Sequence, residues 1–172
     1  MRKAFIRTPV DFARISSHFN PNRKHPVLHK IRAHKGTDYA AATGTPIKAS
    51  GDGKVIHAGI KGGYGKTVMI QHGQSITTLY AHMSNYAKGI KVGSRIRQGQ
   101  VIGYVGSTGL ASGPHLHYEF QVAGAHKNPV SVPLPQAEPI AGTELAAFKA
   151  QTSVYLSQLE TIRDSYQVAK RN

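Results

Sequence analysis

The 172-residue chain has no cysteine and no tryptophan, and only eight of its residues are Asp or Glu. Without thiols it can form no disulfide, run no thiol chemistry and build no Cys-ligated zinc site. The absence of cysteine does not separate a periplasmic from a cytosolic residence, since proteins of either compartment can lack it. No apolar run approaches the roughly 18 residues of a membrane span, so none is expected. The opening residues do not read as a secretory leader. A chain of this length holds one domain and little more. Apolar residues make up 40% of it, enough for a core, which argues against wholesale disorder.

Against the eight acids stand 22 Lys and Arg, a formal net charge of +14 with His neutral, and a pI near 10.2. Such a balance implies an anionic partner: nucleic acid, an acidic surface, or an acidic polymer such as cell wall. The charge is uneven. Residues 1–35 carry nine basic side chains against Asp11 alone, and Lys88, Lys91, Arg95 and Arg97 form a second cluster with no acid inside it. These faces read either as polymer-binding or as solvated surface that aids solubility. Nucleic-acid binding lacks its usual signatures, with no basic helix, no zinc finger and no RNP-like aromatic run, so nucleic acid is not expected as the partner.

Sixteen of the 18 glycines fall between Gly44 and Gly124 and divide that stretch into short pieces. Residues 46–50, 54–58, 67–72, 75–83, 100–105 and 115–122 read as strands. Gly73-Gln74 predicts a two-residue hairpin between the third and fourth of these. On the fourth, alternation places Ile76, Thr78, Tyr80 and His82 on one face. The expected body is antiparallel and all-β, with few bare edges. Four prolines between Asn128 and Ile140 predict an extended connector. From Thr143 to Lys170 there is neither Gly nor Pro, and Leu145, Phe148, Thr152, Tyr155, Leu159, Ile162 and Tyr166 recur at helical spacing, with Glu144 near the N-terminus. That predicts one helix of about 20 residues whose stripe packs on the β body or on another subunit.

Ten histidines are present, and two groups of residues carry chemistry. In the run STGLASGPHLHYEF, His115 and His117 are two apart on a predicted strand, so both imidazoles face one space. Imidazole is a common zinc ligand and a proton carrier near neutral pH. Glu119 shares their parity and could serve as a third ligand or as an acceptor holding a ligating ring. In the second group, His34-Lys-Gly-Thr-Asp38, an extended chain would separate the two end residues by about 13 Å. Gly36 and the β-branched Thr37 argue against a helix. A turn at Lys35-Gly36 followed by a strand starting near Asp38 would bring both to one centre. Two imidazoles and a carboxylate form a catalytic zinc set with one position left for water. The spacing leaves open which of His115 and His117 binds. His82, in Tyr80-Ala81-His82-Met83, is the natural fifth member. No helical His-Glu-x-x-His motif occurs. His18, His25, His29, His57, His72 and His126 lack ligand-like partners in sequence and read as surface or packing residues.

The set His34-x-x-x-Asp38, Tyr80-Ala-His82 and Gly113-Pro114-His115-Leu116-His117 resembles the lysostaphin/LytM-type zinc metalloendopeptidases. So does the linking text: Thr45-Pro46-Ile47, Gly51-Asp52-Gly53-Lys54-Val55, and Gly99-Gln100-Val101-Ile102-Gly103. The resemblance covers residues 12–132. It implies an antiparallel β-sheet core with an open groove, of the duplicated-hybrid-motif type, to which the C-terminal helix is added. It implies one zinc ion per chain held by His34, Asp38 and His117, with His82 and His115 as catalytic histidines beside the metal. Arg14-Ile-Ser-Ser-His-Phe-Asn-Pro-Asn-Arg23 and His25-Pro-Val27 are similar to the segment leading into the catalytic domain of Gram-negative murein endopeptidases. That branch implies cleavage of the D-Ala–meso-diaminopimelate cross-link of peptidoglycan, in the periplasm or cell envelope. The chain departs from the branch in showing no leader, anchor or upstream wall-binding domain, and it reads as a catalytic fragment or an unusually short member. Residues 1–132 are then the catalytic domain and 133–172 a connector and helix packing on it, and a monomer is expected.

On that reading a zinc-activated water attacks the scissile carbonyl, and one of His82 and His115 accepts its proton while the other hydrogen-bonds the oxyanion. Three rivals stand beside it. A silent wall-binding or amidase-activating relative would have lost ligands, and none is lost. A histidine phosphocarrier would need neither Asp38 nor the further histidines. A nucleic-acid binder rests on charge alone.

Overall fold

The computed structural model describes residues 5–11, 13–23, 33–134 and 142–169. Several expected features lie outside the described residues: His25-Pro-Val27, His29, the basic residues Arg2, Lys3, Lys24, Lys30 and Arg32, and the connector beyond residue 134. Residues 2–136 form one compact unit and 137–172 another.

Among the described residues of the first unit, ten strands follow one another: β1 (Arg14–Ser17), β2 (Thr37–Ala40), β3 (Pro46–Lys48), β4 (Gly53–Ile60), β5 (Lys66–His72), β6 (Ile76–Tyr86), β7 (Arg95–Ile96), β8 (Val101–Val105), β9 (His115–Val122) and β10 (Ala125–Lys127). All pairings are antiparallel. The main path runs β1-β2-β9-β6-β5-β4-β7, with β10 on β9 and the β3–β8 pair attached through β6. The body is the mainly antiparallel β fold that the alternating pattern predicts. β9 spans the expected residues, while β1, β7 and β10 are too short to show a period of two in the sequence. The hairpin between β5 and β6 differs from expectation: His72 pairs with Ile76, so the loop is Gly73–Ser75, three residues rather than two. Gly73 takes a φ of +60°, which its missing Cβ permits.

One face of this sheet is apolar and fully covered. Tyr80, Tyr118 and Phe120 from β6 and β9, Val68 and Ile70 from β5, and Ile47, Ile102 and Val105 from the β3–β8 pair belong to one buried cluster. Phe5 closes it from the N-terminal segment, edge-on to Phe120 at 5.5 Å between ring centres. Residues 128–132 are not extended as the prolines of 128–140 suggest. The Asn128 carbonyl accepts from the N–H groups of Ser131 and Val132, and the Asn128 side chain accepts from Val130 N–H. The resulting turn buries Val132 in the core. Arg7 holds this turn by donating to the carbonyls of Pro129 and Val130.

The described residues of the second unit form one helix, α1 (Gly142–Ala169). Its 28 residues exceed the expected length because neither Gly nor Pro interrupts the stretch after Gly142. Leu145, Phe148, Tyr155, Leu159 and Ile162 of the predicted stripe are exposed. The side chains of Glu144 and Tyr166 lie outside the described residues.

β6 is the long element that joins both halves of the sheet, and one residue on it breaks the regular geometry. Residues 76–81 pair with β9 and residues 83–86 with β8. At the change of partner, His82 adopts a φ of +58°. Three residues of β5, Lys66 to Val68, there oppose four of β6, Tyr80 to Met83. That is a β-bulge, and it turns the following side chain to the other face.

Tyr80 tests the polar side of the core. Its hydroxyl accepts from Ser50 N–H at 2.8 Å and from Thr78 Oγ1 at 3.0 Å, with all three residues fully buried. Tyr80→Phe leaves the Ser50 N–H buried without an acceptor and should destabilise the β unit by about 1–3 kcal/mol. Urea unfolding followed by near-ultraviolet circular dichroism measures this; an unchanged midpoint would show that the buried bond contributes nothing net.

Candidate metal centre

Register delivers the centre. β2 pairs with β9 so that Asp38 stands directly opposite His117 and Ala40 opposite His115. Both histidines and Glu119 fall on the sheet face opposite Leu116, Tyr118 and Phe120, because side chains alternate. His34 precedes β2 and is fixed by a two-bond bridge to Asn20, N to O at 2.8 and 3.0 Å. Between His34 and Asp38 the chain bends at Gly36, and β2 starts at Thr37, as the spacing predicts. A Cβ at residue 36 would lie 2.8 Å from His117 Cε1 and 2.5 Å from the Tyr118 carbonyl oxygen. Only glycine fits there.

Three donor atoms converge. His34 Nε2 lies 3.0 Å from Asp38 Oδ1, His117 Nδ1 lies 2.7 Å from the same oxygen, and the two ring nitrogens are 3.3 Å apart. The far side of each ring is already committed. His34 Nδ1 sits 2.7 Å from the His18 carbonyl, which can only accept, so that nitrogen carries the proton. His117 Nε2 sits 3.2 Å from Glu119 Oε1, and the carboxylate again accepts. Each ring therefore directs a lone pair at the point that Asp38 also faces. Three electron-pair donors this close repel one another unless a cation sits among them. With protons as the only cations, burial acts to lower the His117 pKa, but its hydrogen bonds to Asp38 and Glu119 prevail and raise it to about 9. Burial likewise acts to raise the Asp38 pKa, and the hydrogen bonds from His117 and His34 hold it well below the usual carboxylate range instead. The residues present suit a metal ion: two imidazoles and a carboxylate, each with its lone pair free on the inner side.

Glu119 does not join the converging set; its Oε1 faces the outer nitrogen of the His117 ring instead.

His82 and His115 stand beside the centre with ring centres 4.7 Å apart. Alternation predicts His82 on the face of Tyr80, which is the core face. The bulge reverses this, and His82 lines the groove together with His115 and His117. One loop, residues 106–114, holds both rings by main-chain carbonyls. His82 Nδ1–H donates to Thr108 O and His115 Nδ1–H to Gly113 O, each at 2.8 Å. That leaves the Nε2 atom of each ring with its lone pair available. Burial keeps the His82 pKa below the usual imidazole range, outweighing its bond to Thr108.

The groove is open and has a volume of about 470 Å³. Tyr64, in a 3-10 turn at Gly62–Tyr64, forms part of its wall with Leu110. The turn is tied to the 106–114 loop by Leu110 N–H donating to Gly63 O and by Lys66 N–H donating to Thr108 Oγ1. Past His115 the groove continues along Ser16, Ser17, Gly113 and Pro114. Of the remaining histidines, His18 contributes its carbonyl, His72 is buried between the Asp52 carbonyl and Thr78, and His57 is half-buried on β4. His126 is more than a surface residue, because its Nε2 meets Glu119 Oε2 at 3.0 Å. Tyr64 carries one signal in the sequence: glycines flank it on both sides in Gly62-Gly63-Tyr64-Gly65.

The sequence profile described as Peptidase family M23 matches residues 32–129, which contain His34, Asp38, His82, His115 and His117. The chain belongs to peptidase family M23. Among curated relatives, the peptidoglycan DD-endopeptidase ShyC of Vibrio cholerae is 48% identical over 160 residues, covering 93% of this chain and 36% of its own. Among solved structures, a zinc-containing peptidase from Vibrio cholerae superposes with a TM-score of 0.74 at 38% identity, covering 77% of this chain and 41% of that one. The catalytic domain of the antimicrobial peptidase lysostaphin from Staphylococcus simulans gives a TM-score of 0.59 at 29% identity, covering 68% of this chain and 89% of that one. The chain spans about a third of the length of the curated relatives it matches. No described helix is long and apolar enough to cross a membrane.

Within this M23 centre, Gly36→Ala should push His117 and the Tyr118 carbonyl away from β2. Overpacking of this kind destabilises by about 1–3 kcal/mol, and it should weaken metal binding along with the fold. Isothermal titration with a divalent metal checks it; wild-type affinity in the variant would mean that the cradle yields freely.

Proposed function

We propose that residues 1–132 are the catalytic domain of a zinc-dependent endopeptidase that hydrolyses peptide cross-links of bacterial peptidoglycan at the D-Ala–meso-diaminopimelate bond. One zinc ion per chain is held by His34, Asp38 and His117, and the enzyme acts in the periplasm or cell envelope. The convergence of His34 Nε2, Asp38 Oδ1 and His117 Nδ1 carries the reading, because two neutral imidazoles and a carboxylate form a catalytic rather than a closed structural zinc set. Family membership and the DD-endopeptidase name of ShyC support the substrate class.

Bound zinc supplies Lewis acidity, lowering the pKa of water and drawing charge from a carbonyl oxygen. The chain's own groups do the rest. The open groove admits an extended peptide across the face of β9. His82 and His115 each keep an Nε2 lone pair turned from their carbonyl anchors. One takes the proton of the attacking water and later gives it to the leaving amine; the other, protonated, donates to the carbonyl oxygen as negative charge develops there. Their anchors are main-chain atoms, so the rings are oriented before substrate arrives.

Zinc analysis of the purified chain, with digestion of isolated muropeptide dimers read by mass spectrometry, tests the reading. One zinc per chain is expected, falling well below stoichiometry in His34→Ala, Asp38→Ala and His117→Ala. His82→Ala and His115→Ala should keep zinc and lose about 100-fold or more in turnover. Full zinc in His117→Ala with loss in His115→Ala would reverse the assignment within the His-x-His pair. Intact dimers after incubation with the zinc-loaded chain would overturn the substrate.

A further inference from the structure

Glu119 is only 1% exposed, on the floor of the groove. Burying a carboxylate is expensive unless donors meet its lone pairs, and here four do. Oε1 accepts from His117 Nε2 at 3.2 Å and from the Tyr64 hydroxyl at 2.7 Å. Oε2 accepts from Gln121 Nε2 at 3.1 Å and from His126 Nε2 at 3.0 Å. Those donors come from three separate places: β9 itself, the 3-10 turn in the groove wall, and β10. Packing alone would be served as well by an apolar side chain of similar volume, which often replaces a buried charge at little loss of stability. A carboxylate kept at this position with a full set of donors is explained by what it holds.

We propose that Glu119 is a positioning residue: by accepting the His117 Nε2–H while anchored by Tyr64 and His126, it fixes the ring so that Nδ1 is the ligating atom. This rests on the zinc reading of the centre. The choice of nitrogen is not neutral. His34 presents Nε2 and His117 presents Nδ1 to the same oxygen of Asp38, so a His117 ring flipped about its Cβ–Cγ bond would take its lone pair out of the set. Tyr64 extends the arrangement, since the hydroxyl that holds Glu119 belongs to the turn walling the groove. A ligand's orientation and the wall beside the substrate thus share one hydrogen-bond acceptor.

Two measurements on the full chain test this. Nitrogen-15 spectra of the zinc-loaded wild type should show the His117 proton on Nε2; a proton on Nδ1 would overturn the proposal without recourse to any variant. Zinc affinity by chelator competition should fall by about 10–100-fold in Glu119→Met, which keeps the volume and removes the acceptor. Glu119→Gln retains an acceptor and should recover much of that loss, and Tyr64→Phe should fall between wild type and Glu119→Met. The cobalt-substituted absorption spectrum should shift in Glu119→Met and return in Glu119→Gln. A folded Glu119→Met with zinc affinity within twofold of wild type and an unshifted cobalt spectrum would also overturn the proposal. His117→Ala separates the two levels: wild-type affinity there means that the underlying ligand assignment has failed, whereas loss there beside full affinity in Glu119→Met condemns the positioning role alone.

Discussion

Antiparallel pairing between β2 and β9, with Asp38 opposite His117, is the constraint on which the centre depends. A slip of one residue would turn every side chain of one strand to the opposite face and put Asp38 or His117 into the apolar core. Several features guard the register. Tyr39, Leu116 and Tyr118 are buried on the core side of the same two strands, so a slipped pairing would expose them. Gly36 lets the chain pass within contact of His117 and the Tyr118 carbonyl. On its other edge β9 pairs with β6 over six residues, from Ile76 to Ala81. The converging side chains are thus held by a sheet pinned from both sides, and their rigidity is a by-product of how the core packs.

What could be read from the sequence was whatever depends on side-chain identity and simple periodicity. His115 and His117 share a face because they are two apart on a strand, and Gly36 marks the bend that lets His34 and Asp38 meet. Other parts have no sequence identity to read. The atoms that orient His34, His82 and His115 are carbonyls of His18, Thr108 and Gly113, and every residue carries a carbonyl. His82 illustrates a second kind of failure. Alternation puts it with Tyr80, and only the left-handed backbone at the bulge sends it to the groove. Asn128–Val132 shows a third: the prolines of the stretch that begins there suggest extension, while one carbonyl and one side-chain oxygen gather three N–H groups into a turn.

Charge is distributed against the average of the molecule. The chain carries a net charge of +14, yet two of its eight acids, Asp38 and Glu119, stand at one centre beside His34 and His117. In a chain so poor in acids, two carboxylates at one groove make a local field that favours a cation against the surrounding positive potential.

The strained residue closes the argument. A non-glycine residue with left-handed backbone costs about 1–3 kcal/mol and persists only where its surroundings over-determine it. His82 is so held: its neighbours on β6 are paired on one side with β9 and on the other with β8, and its ring is tied to Thr108 O. Thr108 in turn donates through its hydroxyl to the Met83 carbonyl, the next residue along β6. Strand and loop therefore fix each other on both sides of the bulge. The strain places an imidazole from the long central strand 4.7 Å from that of His115, where strict alternation would have buried it among the tyrosines. An unbulged β6 would keep its ladder intact and leave one histidine beside the converging set instead of two.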